Sequence, residues 1–282
     1  MGSDRNRETE CPPPRTTTPI LTDHVRDGVQ VVGYETSATG ETDTPALQIA
    51  ADGRVERKSL ASGTELAYTL GTRHCAGVVD GSSHDACERA SSPYCDRHAS
   101  RWACARCTGD CDLPLASCRE EHAVYLAAFA PATFKVGVTR SWRLETRLRE
   151  QGADRGAHLQ TVQNGRIARQ IEADIAADVG DRVRVRTKMQ GLHESVDTAA
   201  WGSLRDSFDP LATYSFDYQI GLSDRPVRET LLTGTVRGTQ GRVLVLDTNG
   251  TTYAVDMREL VGYELRPHRT DRQLQSNLDA FG

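Results

Sequence analysis

Residues 123–139 read AVYLAAFAPATFKVGVT. The run 123–130 predicts a strand buried in a sheet, Pro131-Ala132 a turn, and the β-branched run 133–139 a second, returning strand. Ala123 to Ala132 is the longest apolar stretch of the chain, is broken by Pro131, and has about half the length a membrane span requires. Downstream the period changes. Between Trp142 and Gln151, Leu144 and Leu148 stand at i, i+4 with Arg143 and Arg147 on a neighbouring face, which predicts a helix that Gly152 ends. A short strand at 159–163 and a turn at Asn164-Gly165 precede a second helix, Arg166 to Val179, with Ile167, Ile171 and Ile175 turned inward. The order is hairpin, helix, strand, helix, and the fold class is α+β with an α/β core at 121–196.

Directly upstream the composition shifts. Seven of the eight cysteines fall between Cys75 and Cys118, together with His98. Two residues separate Cys95 from His98 and Cys104 from Cys107, a spacing that lets one tight turn aim two donors at one ion. The soft ligands Cys75, Cys87, Cys95, His98, Cys104, Cys107, Cys111 and Cys118 suit two closed tetrahedral zinc sites. Filled in chain order, the first four hold one ion and the last four the other; interleaved filling is the alternative. A disulfide framework would need an oxidising compartment, and the polar, proline-rich first 24 residues do not read as a secretory signal, so a cytoplasmic protein is expected. With no open coordination position the zinc ions would be structural, folding a module at 74–120 that is poor in Leu, Ile and Phe. His74, His84 and His122 are spare donors.

The formal charge of −5 argues against a chain that simply coats nucleic acid. Its distribution says something else. Lys135 to Lys188 holds twelve Lys/Arg against seven Asp/Glu, a local candidate for a phosphate-facing surface, with a solvated helix face as the blander reading. The chain has 31 arginines and lysine only at Lys58, Lys135 and Lys188, a bias that fits either a GC-rich genome or adaptation to high salt.

Four positions in this region resemble the GIY-YIG nuclease superfamily over about 65 residues, from Ala123 to Thr187. Val124-Tyr125-Leu126 looks like its first motif and Lys135-Val136-Gly137-Val138-Thr139 like its second, with Lys135 where the second tyrosine would stand. Arg147 falls where the helix arginine belongs, ten residues after Gly137, and Glu172 where the metal-binding glutamate belongs. With the upstream cysteines and the run RLREQGA at 147–153, the whole is similar to the uncharacterised domain-of-unknown-function family 2797. The resemblance implies a Mg²⁺- or Mn²⁺-dependent phosphodiester cleavage in which Glu172 holds the metal, Arg147 the scissile phosphate, Tyr125 accepts a proton from water and Lys135 adds a second cation. The blander readings place Tyr125 in the core as an ordinary aromatic and pair Glu172 with Arg169 on a helix surface.

The flanks complete the plan. Arg182, Arg184, Arg186 and Lys188 alternate with Val183, Val185 and Thr187, which predicts an extended segment showing four cations on one side; with Arg140 and Arg143 they are the candidate nucleic-acid contacts. Short strands are expected at 213–220, 229–238, 242–247 and 251–256, with a hairpin turn at Asn249-Gly250. They predict a small β-barrel or sandwich within 197–266, completed by N-terminal strands near 29–35, 46–50 and 65–70 in the segment 25–73, between polar tails at 1–24 and 267–282. Two functions compete: a zinc-stabilised nucleic-acid-binding protein with endonuclease or repair chemistry, and a non-catalytic binding or adaptor module for RNA or a protein partner. No membrane partner is expected.

Overall fold

The structure, a computed structural model, describes residues 28–36, 44–99 and 116–268. Its first part is six strands: β1 (Val29–Glu35), β2 (Ala46–Ala51), β3 (Arg54–Ser59), β4 (Glu65–Arg73), β5 (Val78–Asp80) and β6 (Ser83–Asp85). Asp52 and Gly53 join β2 to β3 with φ of 49° and 72°, the primed-turn geometry that follows the twist of paired strands. β5 and β6 pair with each other and β6 pairs with β3, so residues 78–85 of the cysteine-rich segment extend the edge of a sheet.

The central stretch forms β7 (His122–Phe129) and β8 (Thr133–Arg140), in register from His122 opposite Arg140 to Phe129 opposite Thr133. A 3-10 turn at Ser141–Arg143 leads to α1 (Leu144–Glu150), then β9 (Arg155–Val162), α2 (Gly165–Val179), α3 (Val185–Gly191), α4 (Thr198–Asp206) and β10 (Ala212–Ser215). The four strands make an antiparallel sheet in the order β10-β9-β7-β8. β7 is apolar at nearly every position because both its faces are covered. Val124, Leu126 and Ala128 pack with Ile171, Ile175 and Trp201, while Ala123, Tyr125, Ala127 and Phe129 pack with Leu144, Leu148 and Phe216.

Several expectations shift here. Asn164 caps α2, its side chain accepting from the amides of Arg166 and Ile167, so Asn164-Gly165 starts a helix. The inward stripe of α2 runs Ala168, Ile171, Ile175; Ile167, ~100° round the helix from Ala168, is left 42% exposed. The alternation at 182–188 is not a strand. Val185, Met189 and Leu192 share one apolar cluster at helical spacing, and that burial turns the chain helical at Val185. The segment 213–220 yields only β10, which pairs with β9 and extends the core past residue 196 to Phe216.

The last strands are β11 (Val227–Arg228), β12 (Leu232–Gln240), β13 (Val243–Thr248), β14 (Thr251–Asp256) and β15 (Tyr263–Pro267), with α5 (Met257–Leu260) before β15. Asn249 and Gly250, at φ 50° and 77°, turn β13 into β14. These strands do not close on themselves. They join the N-terminal set in one eleven-stranded sheet, β11-β14-β13-β12-β4-β15-β1-β2-β3-β6-β5, around a core shared by Val31, Leu47, Leu66, Leu232, Leu246 and Val255. The two sheets meet closely. A Cβ at Gly241 would lie 2.6 Å from the Gly152 nitrogen, and Gln240 Nε2 donates to the Gly152 carbonyl (2.9 Å) and to Asp154 Oδ1 (3.0 Å). No helix among the described residues is long and apolar enough to cross a membrane.

Candidate functional site

Two places concentrate chemistry. At the first, Cys75 follows β4, Cys87 follows β6, and a tight turn at Cys95, whose carbonyl accepts from the amides of His98 (2.9 Å) and Ala99 (2.8 Å), returns His98 to the two thiols. The donor atoms of Cys75, Cys87, Cys95 and His98 all lie within 4.8 Å of one another. His98 Nδ1 is 3.3 Å from Cys75 Sγ and 3.6 Å from Cys95 Sγ. A tetrahedron with bonds of about 2.3 Å to sulfur and 2.0 Å to nitrogen has S···N edges of about 3.5 Å, so these four residues could hold a metal ion such as zinc. The thiols of Cys75, Cys87, Cys95 and Cys118 are free. The spare histidines turn elsewhere: His74 Nδ1 lies 2.9 Å from the Cys87 carbonyl oxygen, His84 Nε2 2.9 Å from that of Ala76, and His122 Nδ1 2.8 Å from that of Glu120. Of the second expected set, Cys104, Cys107 and Cys111 lie outside the described residues.

The second place is a groove of about 790 Å³ along β8, α1, α2 and the start of α3. Tyr125, Lys135, Arg147 and Glu172 all line it, as do Arg140, Arg143, Arg182, Arg184 and Lys188; Arg186, carried away by the helical turn of α3, does not. Nine Lys/Arg and two acidic residues, Glu172 and Asp181, share this lining.

Tyr125 is a core aromatic, 1% exposed, as the blander reading has it, and it borders the groove through a missing side chain. It pairs with Gly137 on β8, and a Cβ there would fall 2.6 Å from its Cζ and hydroxyl oxygen, so only glycine lets the ring lie across the neighbouring strand. Gln151 Nε2 donates to the Tyr125 hydroxyl at 2.6 Å, leaving the phenolic proton free to donate. Burial, opposed by the Arg147 guanidinium, pushes the Tyr125 phenol above its ordinary value. That opposes the expectation that Tyr125 deprotonates water, since the phenol is kept neutral.

The cations are tied down in different ways. Glu150 bridges Arg143 (2.5 Å) and Arg147 (2.9 Å) with separate oxygens, fixing both guanidinium groups along α1. Lys135 Nζ donates to the Asp181 carbonyl (2.8 Å), and Lys188 Nζ to the Gln151 carbonyl (2.6 Å), where it lies 4.1 Å from the Phe129 ring centroid. Burial lowers Lys135 to about 8 and Lys188 to about 7, the latter helped by the nearby charges of Lys135, Arg242 and Arg147. Glu172 is paired with Arg169 (2.8 Å), its side chain 14% exposed, so the helix-surface pair read as the bland alternative exists and faces the groove.

Sequence reasoning missed Glu150, Gln151 and Arg166. Glu150 was within reach, three residues after Arg147 and seven after Arg143 on the same helix face. Gln151 was not, because its partner lies on another element.

No curated protein and no solved structure matches the chain. A family model described as "Protein of unknown function (DUF2797)" matches residues 63–219, more than half of its length.

Proposed function

The chain belongs to the DUF2797 family, whose description assigns no activity, and from its own groove we propose that it binds the phosphate backbone of a nucleic acid and that its GIY-YIG-like core acts on a phosphodiester there. One observation carries the reading: nine Lys/Arg against two acidic residues line a single groove in a protein of net charge −5. Charge concentrated against the overall sign is what a polyanion site requires, since each neutralised phosphate releases condensed counterions. The metal at Cys75, Cys87, Cys95 and His98 is, in this reading, a structural zinc that ties the β4–β5 connection to the chain that follows β6.

The chemistry follows from who faces the groove. Arg147, steadied by Glu150, presents a planar fork to one phosphate. Tyr125, neutral and with its oxygen already accepting from Gln151, donates a hydrogen bond to a phosphate oxygen, where it stabilises the charge that develops there. Glu172 fits a Mg²⁺ site in that such sites take one or two protein carboxylates, and a bound Mg²⁺ would stabilise charge developing on the phosphoryl oxygens. The ion pair between Glu172 and Arg169 favours the second reading, a groove that binds without cutting.

Titrating labelled single- and double-stranded DNA and RNA at several salt concentrations tests binding: the expected log–log slope is steep, and Arg184→Gln should flatten it by about one unit. Affinity indifferent to salt would remove nucleic acid as the partner. Cleavage with Mg²⁺ or Mn²⁺ tests chemistry: Arg147→Lys and Glu172→Gln should keep the melting temperature and lose about a hundredfold of the rate. A wild-type protein that binds but never cuts leaves the non-cutting groove.

A further inference from the structure

The chain places one large aromatic side chain where core burial gives no reason for it. Trp142 is 69% exposed, while Trp201 is buried in the core. Trp142 sits on the 3-10 turn between β8 and α1, two residues after Arg140 and one before Arg143, both of which line the cationic groove. The Arg140 and Arg143 guanidinium carbons lie 5.2 Å and 5.9 Å from its ring centroid. Glu120 fixes the arrangement: Oε2 accepts from Trp142 Nε1 and Oε1 from Arg140, each at 3.4 Å. The indole is thus held by its edge and by two cations, yet most of its surface remains open to solvent. A solvent-facing indole forgoes the burial that normally stabilises a large apolar ring, and its place between two groove arginines is what gives this one a use. A ligand that fits there is flat, presents a π face and carries negative charge toward the groove.

Resting on the reading of the groove as a phosphate-binding site, we infer that Trp142 is a stacking platform for one unpaired base of the bound nucleic acid. The partner is then single-stranded, or locally unpaired, at the groove mouth. In a continuous duplex both faces of every base are already occupied by neighbours, and an aromatic outside the helix has nothing to stack on. Where a base is free, an aromatic ring takes it regardless of sequence, while the flanking arginines hold the adjoining phosphates and add guanidinium stacking.

The test uses fluorescence anisotropy with three labelled probes at one salt concentration: a short oligothymidylate, the same length built from abasic tetrahydrofuran residues, and a duplex. Wild-type protein is expected to bind the oligothymidylate about five- to a hundredfold more tightly than the abasic strand. Trp142→Ala should erase that ratio by weakening the oligothymidylate alone, with the abasic affinity and the salt slope unchanged, and Trp142→Phe should restore most of it. The exposed position predicts an unchanged melting temperature for both variants. If the wild type fails to distinguish the two strands, or Trp142→Ala keeps the ratio, the stacking inference falls and the phosphate groove stands. If no probe binds in a salt-dependent way, both fall.

Discussion

Gly137 shows how a residue without a side chain can govern a site. A Cβ there would meet the Tyr125 ring at 2.6 Å, backed by a fully buried strand that cannot yield. Gly137→Ala should therefore cost about 1–3 kcal/mol in denaturant unfolding and pull the Tyr125 hydroxyl off Gln151. Gly202→Ala in α4, where nothing lies within 4 Å of the added methyl, should be neutral or stabilising. Equal losses from the two would refute the packing argument. Lys188 makes a second prediction. Burial holds it at about 7, below the ordinary lysine value of about 10.4, so across that window the unfolded chain binds a proton the folded chain lacks. Its contribution to stability is full above the ordinary value and is lost as pH falls through about 7. Lys188→Met should flatten the rise in urea midpoint between neutral and alkaline pH relative to wild type; identical slopes would mean the ammonium is not buried. Nucleic-acid affinity should move the other way, weakening as Lys188 and then Lys135 lose charge with rising pH. Tyr125, Lys135, Arg147 and Glu172 were picked out together by the family resemblance, and the fold brings all four to one groove. Gly137's reason was not legible, since it is the shape of a side chain on the neighbouring strand.

Elements were legible where one local rule acts alone. A two-residue spacing between Cys95 and His98 needs only a tight turn to work, and the turn is there, with Cys75 and Cys87 meeting it. The segment 182–188 obeyed two rules at once, period two in its charges and period 3.6 in Val185, Met189 and Leu192, and burial chose the second. β10 was misassigned for a related reason, because a short strand carries no mark of which sheet will take it. The metal knuckle gives the firmest test. Elemental analysis of purified protein should find at least one zinc per chain; Cys95→Ser should lose it and melt well below wild type, while Cys11→Ser should change neither. A metal-free protein with native stability would overturn the assignment.

For the molecule as a whole, the sequence conveyed that strands from both ends complete one β unit, but not the order in which they interleave. Hydrophobic alternation shows which face is inward, and a partner hundreds of residues away leaves no trace in it. β4 lies between β12 and β15, both beyond the matched segment 63–219. A fragment of those residues should keep the core sheet and the Arg147 groove but leave β4 without either neighbour. Limited proteolysis should cut it around 65–73 while sparing 122–216, and uniform protection would contradict the sheet order. The same interleaving sets a clock on synthesis. Arg73 closes β4, yet Leu232 opens its first partner 159 residues later. At ~5–20 residues per second a ribosome needs on the order of ten to thirty seconds to deliver it. Throughout that interval β4 offers two bare hydrogen-bonding edges to any passing chain, so the core at 122–216 must fold first, and the newborn N-terminal strands are where this protein would call on a chaperone.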